Sequence, residues 1–188
     1  MTTSILSTPD REYQPFPNVA RRNFMQETFE VPLLVHLLRL PPGGRVLEVG
    51  CGRGIALSPL AAALRPRQLV GLDVDGTLIE AAGSRLHEKG VNAELRRADV
   101  RAIPFPDGSF DLVIDFGTCY HIGAPERALR EIVRVLSPGG LFVYETPASQ
   151  LLSHPVRTRG KRLPWSAAPG LRVVRRAILW KARRKEAA

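Results

Sequence analysis

A glycine-rich loop with an acidic residue at its start is the part of the sequence best suited to chemistry. Gly50, Gly52 and Gly54 alternate directly after a short apolar run that contains Glu48. Glycines at alternate positions let the backbone turn tightly and approach a ligand that a Cβ would exclude. A dinucleotide fingerprint would need its third glycine at Ile55, and a carboxylate is a poor neighbour for a pyrophosphate. The loop therefore favours a cationic ligand, for example a sulfonium that carries an α-amino group, over a plain strand-to-helix turn.

Aspartates follow the next two predicted strands. Asp73 ends the second strand, where its carboxylate can accept hydrogen bonds from both ribose hydroxyls while Val74 lies against an adenine face. Asp73 could instead cap the next helix, although Asp75 is the better cap. Asp99 follows the third strand, where it can accept from the adenine amino group while the Val100 backbone donates to the ring. An ordinary turn residue is the alternative for Asp99.

An alternation of strands and helices must position these residues. Apolar residues recur at helical spacing over 23–40, which predicts an amphipathic helix bent near Pro32. Short apolar runs bounded by turns predict strands at 45–49, 68–73, 93–96, 110–116 and 141–145, with terminal strands at 171–174 and 177–180. Such alternation implies right-handed crossovers and a doubly wound, mostly parallel α/β sheet with helices on both faces. Ligands of these sheets bind beyond the carboxyl ends of the strands.

The charge of the chain is unevenly distributed. The 188 residues carry a net charge of +9, but 11 of the 27 Lys and Arg residues fall between Arg157 and Lys185. Subtraction leaves 16 basic and 17 acidic residues in the first 149 positions, a net charge of −1. The basic C-terminal segment could attract phosphate, anionic lipid or an acidic partner, although solvated arginines on exposed strands are the commoner explanation.

The cysteines and the apolar pattern favour a cytoplasmic protein. Cys51 and Cys119 are far apart and have no neighbour at zinc-ligand spacing, which favours a reduced compartment and predicts no metal site. The N-terminus lacks a charged start followed by an apolar core, and no stretch approaches the roughly 18 apolar residues of a membrane span. We expect residues 1–20 to form a flexible arm and residues 21–188 to form one domain with a short basic C-terminal segment.

Four motifs in order resemble those of the type 11, or ubiquinone-biosynthesis-type, branch of class I methyltransferases. They are RVLEVGCGRG at 45–54, GLDVD at 71–75, ADVRAIPFPDGSFDLVI at 98–114 and EIVRVLSPGGL at 131–141. The resemblance implies a Rossmann-like sheet of seven strands, the last antiparallel, with S-adenosyl-L-methionine bound across the first strands. Asp115 and Phe116, after the fourth strand, would border the transferred methyl. The predicted cofactor-binding residues are Glu48, Gly50, Cys51, Gly52, Gly54, Asp73, Val74, Asp99, Val100, Asp115 and Phe116.

Methyl transfer depends mainly on aligning the reactants, because the leaving group is a neutral thioether. His121 is the candidate general base, since relatives of the resembled family often carry histidine there, and Tyr120 could orient an acceptor. Packing or helix capping is the alternative for His121, and a place in the core is the alternative for Tyr120. We expect Cys119 to be buried rather than reactive.

Departures from the family restrict the acceptor. The segment between residues 145 and 171 is shorter than the lid region of many relatives, so residues 150–165 would cover the pocket or leave it open to a large acceptor or a second subunit. Enzymes that methylate exocyclic amines of nucleic acids typically carry a tetrad of Asn or Asp, two prolines and an aromatic residue. In this sequence Asp115 is followed by Phe116, so the tetrad is absent and base methylation is disfavoured. The sequence favours a small-molecule methyl acceptor and allows a homodimer. RNA or another large anionic acceptor, a non-catalytic cofactor-binding protein and a nucleotide-dependent oxidoreductase are the alternatives.

Overall fold

The computed structural model describes residues 19–145 and 180–186. The strands are β1 (Arg45–Val49), β2 (Gln68–Asp73), β3 (Glu94–Arg97), β4 (Phe110–Asp115), β5 (Leu136–Glu145) and β6 (Trp180–Arg184). The helices are α1 (Val19–Met25), α2 (Val31–Leu37), α3 (Leu57–Leu64), α4 (Gly76–Glu88), α5 (Thr118–His121) and α6 (Pro125–Val135). Residues 1–18 of the predicted arm, the segment 150–165, the predicted strand 171–174 and residues 177–179 of the predicted strand 177–180 lie outside the described residues. Val19 and Ala20, the last two residues of the predicted arm, belong to α1.

The strands form one sheet in the order β3-β2-β1-β4-β5-β6. Every neighbouring pair is parallel except β5 and β6, which are antiparallel. The doubly wound α/β prediction and the antiparallel last strand are therefore confirmed. The predicted strand number of seven is wrong for the described residues, which form six strands, because antiparallel β6 pairs directly with β5. The strand order reverses between β1 and β4, and this switch point brings Val49 opposite Asp115.

Helices cover both faces of the sheet. On one face, Val46 and Leu112 of the strands pack with Leu34 of α2, Leu57 of α3 and Leu86 of α4. On the other face, a second apolar cluster holds the alternate strand residues together with α6; it includes Leu47, Val113, Ala128, Ile132 and Val135. Successive strand side chains point to opposite faces, so near-continuous apolar runs fill both clusters.

The N-terminal helical region differs from the single bent helix that the sequence predicts. A π-helical turn over Gln26–Glu30 separates α1 from α2. Pro32 stands in the first turn of α2 and lacks an N–H, so it cannot donate to the preceding turn, and a wider turn precedes it. The apolar stripe is only partly buried: Leu34 is 1% exposed, whereas Phe24 is 58% and Phe29 is 50% exposed. Within the described ranges, no helix combines the length and apolar character needed to cross a bilayer.

Strand β5 begins earlier than its apolar run. The turn predicted over 137–140 lies inside β5, where the register against β4 shifts between Phe110 and Leu112. Gly139 and Gly140 exchange backbone hydrogen bonds with Lys185, which extends the antiparallel pairing with the C-terminal strand. The Ser-Pro-Gly-Gly sequence is therefore an irregularity within a strand and not a connection before it.

Candidate functional site

The glycine loop after β1 turns at the carboxyl edge of the sheet, and its three glycines differ in what surrounds them. Gly50 has a φ of +65°, and a Cβ there would overlap the Thr118 side chain. A Cβ on Gly54 would lie 3.2 Å from the Ala82 Cβ of α4, so this glycine allows close packing of the loop on a helix. Gly52 has a φ of +51° and open space where a Cβ would be. Of the three, Gly52 is the position over which a ligand can approach the backbone.

Cys51 supports the loop from within the core. Its side chain is 5% exposed and belongs to the apolar cluster that contains α3, and its backbone N–H donates to the Leu72 carbonyl at 2.9 Å. Burial raises the pKa of the Cys51 thiol, and the nearby Glu48 and Asp73 charges raise it further. The thiol is thus kept protonated, and the predicted contribution of Cys51 to cofactor binding would come from its main chain.

Glu48 is a buried acid on β1 with 2% of its surface exposed. Burial raises its pKa well above the ordinary range; the charge of Arg22 opposes this, while the charges of Asp73 and Asp115 add to it. Among the described side chains, Glu48 Oε2 is one of the buried oxygens without a hydrogen-bond partner. A buried acceptor left without a donor costs free energy, so this oxygen suits a cationic N–H donor brought by a ligand.

Asp73 lies at the carboxyl end of β2 and is 9% exposed. Its Oδ2 accepts from the Gly52 backbone N–H at 2.8 Å, and its Oδ1 accepts from the Asp75 backbone N–H at 3.0 Å. Each oxygen keeps a second lone pair for a ligand hydroxyl. The capping alternative falls to Asp75, whose carboxylate accepts from the Thr77 and Leu78 N–H groups at the start of α4. Asp73 therefore joins the glycine loop to the second strand.

Residues at the predicted adenine end differ in exposure. Val74 is 52% exposed directly after Asp73, as an apolar contact for a planar ring would require. Asp99 receives the Arg101 guanidinium through both carboxylate oxygens and accepts from the Arg101 backbone N–H at 2.8 Å. The hydrogen bonds with the Arg101 side chain hold the pKa of Asp99 below its usual value. Val100 is 5% exposed and packs in the cluster that contains α6. The adenine contact of Asp99 stays a prediction. Asp99 also stabilises a turn, because its carboxylate accepts from the backbone N–H and the side chain of Arg101.

Asp115 organises the loop after β4. Its carboxylate accepts from the backbone N–H groups at the start of α5, from Gly117 at 2.9 Å and Cys119 at 3.1 Å, and also from Thr118. Burial raises its pKa, and these hydrogen bonds oppose the shift. Thr118 in turn donates from Oγ1 to the Val49 carbonyl at 3.2 Å. The acid thus holds the two loops of the switch point together, and its predicted place beside the transferred methyl stays a prediction.

The candidates for catalysis follow on the short helix α5. His121 ends this helix and is partly exposed, and Phe116 before the helix is partly buried against the cluster that contains α3. Tyr120 lies within α5, but its side chain is outside the described set. Cys119 packs against the second cluster, and burial raises the pKa of its thiol. The catalytic roles of His121 and Tyr120 stay predictions. Within the described ranges, no group of three His, Cys, Asp or Glu residues could hold a metal ion.

A polar stripe on the N-terminal helices is a part of this region that the sequence analysis missed. Arg22 brings the positive charge that opposes the pKa rise of Glu48. Gln26 and Glu30 follow at four-residue spacing and are buried, with 4% and 3% exposure. Gln26 Oε1 is a second buried oxygen without a hydrogen-bond partner among the described atoms. Polar residues repeating every fourth position inside an apolar helix are the sequence signal that could have identified this stripe.

Comparisons with known proteins agree with this geometry. The model of the methyltransferase domain family, type 11, matches residues 47–144, slightly more than half of the chain. A fatty-acid O-methyltransferase of Mycolicibacterium smegmatis is 39% identical over 102 residues, which cover 54% of this chain and 36% of that protein. A ubiquinone/menaquinone biosynthesis C-methyltransferase of Ectopseudomonas mendocina is 34% identical over 126 residues, covering 63% of this chain and 49% of that protein. This chain therefore matches between about a third and a half of the length of these curated relatives.

A solved structure shows the same fold. A protein of Methanococcus maripaludis described as an S-adenosyl-L-methionine-dependent methyltransferase aligns with a TM-score of 0.60 and 21% identity, covering 72% of this chain and 66% of that protein. Proteins of this family and fold use S-adenosyl-L-methionine as the methyl donor. The unpartnered Glu48 oxygen, the open space over Gly52 and the remaining lone pairs of Asp73 fit the ammonium, chain and ribose of that cofactor. The chain therefore belongs to the type 11 branch of the class I S-adenosyl-L-methionine-dependent methyltransferases.

Proposed function

We propose that this chain transfers a methyl group from S-adenosyl-L-methionine to a small-molecule acceptor. The observation that carries the proposal is the buried Glu48 carboxyl, which has an unpartnered oxygen and lies beside two further acids. Such a cluster disfavours an anionic ligand such as a pyrophosphate and favours one with an ammonium and a sulfonium. The bound cofactor would supply an electrophilic methyl group on a positively charged sulfur.

The residues of the chain bind and orient rather than react with the donor. Glu48 would accept from the ammonium, and Asp73 would accept from the ribose hydroxyls while it holds the Gly52 N–H. Asp115 fixes the start of α5 and thereby the position of this short helix, which ends at His121. A pre-formed cleft of this kind lowers the barrier mainly through alignment of the two reactants.

At the acceptor end of the site, the reaction needs at most one group that takes a proton from the acceptor. A neutral His121 could take the proton that an oxygen, nitrogen or carbon acid loses as it is methylated. The names of the two relatives, a fatty-acid O-methyltransferase and a C-methyltransferase of ubiquinone and menaquinone biosynthesis, support an apolar acceptor with one reactive oxygen or carbon. The half-exposed Phe24 and Phe29 rings offer apolar surface on the helical segment that also holds Arg22.

Calorimetric titration tests the cofactor assignment. We expect S-adenosylhomocysteine to bind and NAD to bind far more weakly, because the buried acids oppose the NAD pyrophosphate. Glu48→Gln should lose affinity for S-adenosylhomocysteine, whereas the conservative exchange Glu80→Gln on α4 should not. Equal binding of NAD, or unchanged affinity in the Glu48 variant, would contradict the proposal.

Transfer assays with an isotopically labelled methyl donor test the reaction and the acceptor class. A panel of a long-chain fatty acid, a quinol and a short RNA compares an apolar acceptor with an anionic macromolecule. His121→Ala should lower turnover while S-adenosylhomocysteine affinity stays the same. An unchanged rate in that variant removes His121 from the reaction, and labelling of RNA alone removes the small-molecule acceptor.

A further inference from the structure

Helix α6 borders a basic groove on the face of the sheet opposite Glu48. The groove has a volume of about 530 Å³ and is defined by its lining residues, which are Arg101, Arg127, Arg130, Glu131, Val133, Arg134 and Lys185. It extends from Arg101, which donates to the Gly123 carbonyl before α6, to Lys185 at the far end of the sheet. We call this surface the α6 groove.

Some of the positive charge of the α6 groove is neutralised locally. Asp99 receives the Arg101 guanidinium, and Arg134 is shared between Glu131 at 2.7 Å and Asp107 at 2.9 Å. Arg127 and Arg130 are exposed, and among the residues with described side chains neither forms an ion pair. Five cations therefore stand against these three carboxylates and the exposed Glu126 in the first turn of α6, which leaves an excess of one positive charge.

Apolar side chains stand beside this excess charge. Leu129 is 43% exposed and Val133 is 51% exposed. They are four residues apart on α6, so they lie on one side of the helix with Arg130 next to them. Arg183 of the neighbouring strand β6 is also exposed and adds to the positive surface, because it pairs with Phe142 of the cluster on the α6 face. Exposed aliphatic side chains combined with arginines on a surface helix are typical of a membrane-surface contact.

The geometry points to a docking site for an anionic lipid bilayer on the α6 groove. Lipid phosphates would approach Arg127 and Arg130, while Leu129 and Val133 would enter the boundary between headgroups and acyl chains. A nucleic acid could satisfy the arginines, but its phosphate backbone gives the two aliphatic side chains no apolar phase to enter. The charge pattern and the aliphatic pair together therefore favour a bilayer over RNA.

Docking there would leave the cofactor region accessible. Glu48 lies in β1 two residues after Val46, so its side chain points to the face of the sheet that packs against α3, and its near neighbour Arg22 is on α1. Helix α6 packs against the opposite face of the sheet. Membrane binding is therefore independent of the proposed transfer reaction and can be measured without an acceptor.

Vesicle co-sedimentation of the full chain tests the proposal. The probes are phosphatidylcholine vesicles with and without phosphatidylglycerol. We expect binding to the anionic vesicles, and a loss of about fivefold for each arginine, so roughly 25-fold for the double variant Arg127→Gln/Arg130→Gln. The variant Leu129→Ser/Val133→Ser should weaken binding most at high salt, where the electrostatic contribution is screened.

A matched control removes the same charge elsewhere. Arg39→Gln/Arg65→Gln changes two exposed arginines after α2 and α3, and it should bind anionic vesicles as the original protein does. Thermal unfolding and S-adenosylhomocysteine titration confirm that each variant is folded. Equal losses in both double variants, equal binding to neutral vesicles, or tighter binding to an RNA oligonucleotide than to vesicles would overturn the proposal. If glycerol phosphate displaces the protein from anionic vesicles as effectively as an excess of vesicles does, the groove binds a free phosphate compound and the proposal is overturned.

Discussion

Replacing Asp73 by Asn is the most direct test of the adenosyl pocket. The side chain keeps its shape but loses its charge and one of its two acceptor oxygens. In the structure those oxygens already accept from the Gly52 N–H at 2.8 Å and the Asp75 N–H at 3.0 Å. The variant can therefore affect both the ribose contact and the position of the glycine loop.

The two effects have different expected sizes. Hydrogen bonds to a charged acceptor contribute about 1.5–3 kcal/mol, so loss of the ribose contact should weaken S-adenosylhomocysteine binding by roughly 10- to 150-fold. One backbone N–H would lose its acceptor near the surface of the cleft, which should cost about 1 kcal/mol of unfolding free energy. The loss in affinity should thus exceed the loss in stability.

Calorimetry with a modified ligand separates these effects. The ligand pair is S-adenosylhomocysteine and its 2′-deoxyadenosyl analogue. Removing the hydroxyl should cost the original protein much more affinity than it costs Asp73→Asn, because the variant has already lost an acceptor. Asp75→Asn is the matched control, since Asn also caps a helix and the Asp75 carboxylate is occupied by the Thr77 and Leu78 N–H groups.

Equal penalties for the missing hydroxyl in the original protein and in Asp73→Asn would refute the ribose assignment. So would an affinity of Asp73→Asn within about twofold of the original, a difference that corresponds to under 0.5 kcal/mol. Asp73 would then be a residue that holds the Gly52 loop in place and nothing more.

Three further predictions follow from the buried and ion-paired groups. Binding of S-adenosylhomocysteine should release up to one proton in the pH range where the free protein holds Glu48 protonated, because the ligand ammonium lowers a pKa that burial has raised. Calorimetry in two buffers of different ionisation enthalpy measures this release, and its persistence in Glu48→Gln would contradict the assignment. Asp111→Asn should lower stability by about 1 kcal/mol at pH 7 and by less at pH 3, after allowance for solvent screening. Arg45 holds the folded-state pKa of Asp111 below its usual value, so that stabilisation is present above the unfolded pKa of about 3.9 and is lost as pH falls below it; denaturant titrations with equal differences at both pH values would argue against this. Gly50→Ala should destabilise the fold by about 3 kcal/mol through overlap with Thr118 and a positive φ, whereas Gly52→Ala should cost about 1 kcal/mol in stability but at least about tenfold in cofactor affinity. Thermal unfolding and titration of both variants check this contrast, and original affinity in Gly52→Ala would show that no ligand occupies the space above it.

The strands, and the acids near their carboxyl ends, could be predicted from the sequence. A strand that is buried on both faces produces a short apolar run with a clear end. Glu48 and Asp73 stand within or at the end of such runs, so their place at the carboxyl edge follows from the pattern. The strand at 94–97 was harder to bound, because β3 is half-buried and starts one residue later than expected.

Other features depend on contacts between distant segments. The glycine motif suggested one common purpose, yet Gly50 makes room for Thr118 and Gly54 for Ala82. A local pattern cannot reveal which side chain from another loop will fill the space beside a glycine. The same holds for Asp115, whose carboxylate is occupied by the start of α5, since capping depends on the path of the following loop.

The electrostatics of the cleft explain why one acid differs from its neighbours. Asp73 and Asp115 are both buried, but backbone N–H groups surround their oxygens and offset part of the cost of burying their charge. Burial raises the pKa of all three acids, but most clearly that of Glu48, which has no such partner at Oε2 among the described atoms and whose pKa the negative charges of both aspartates raise further. A cationic ligand that donates to Glu48 would favour its ionised form and add to the attraction from the other two acids. A methyl donor carries one more positive charge than its demethylated product. The same three carboxyl groups should therefore hold the donor more tightly than the product, and this difference favours product release after transfer.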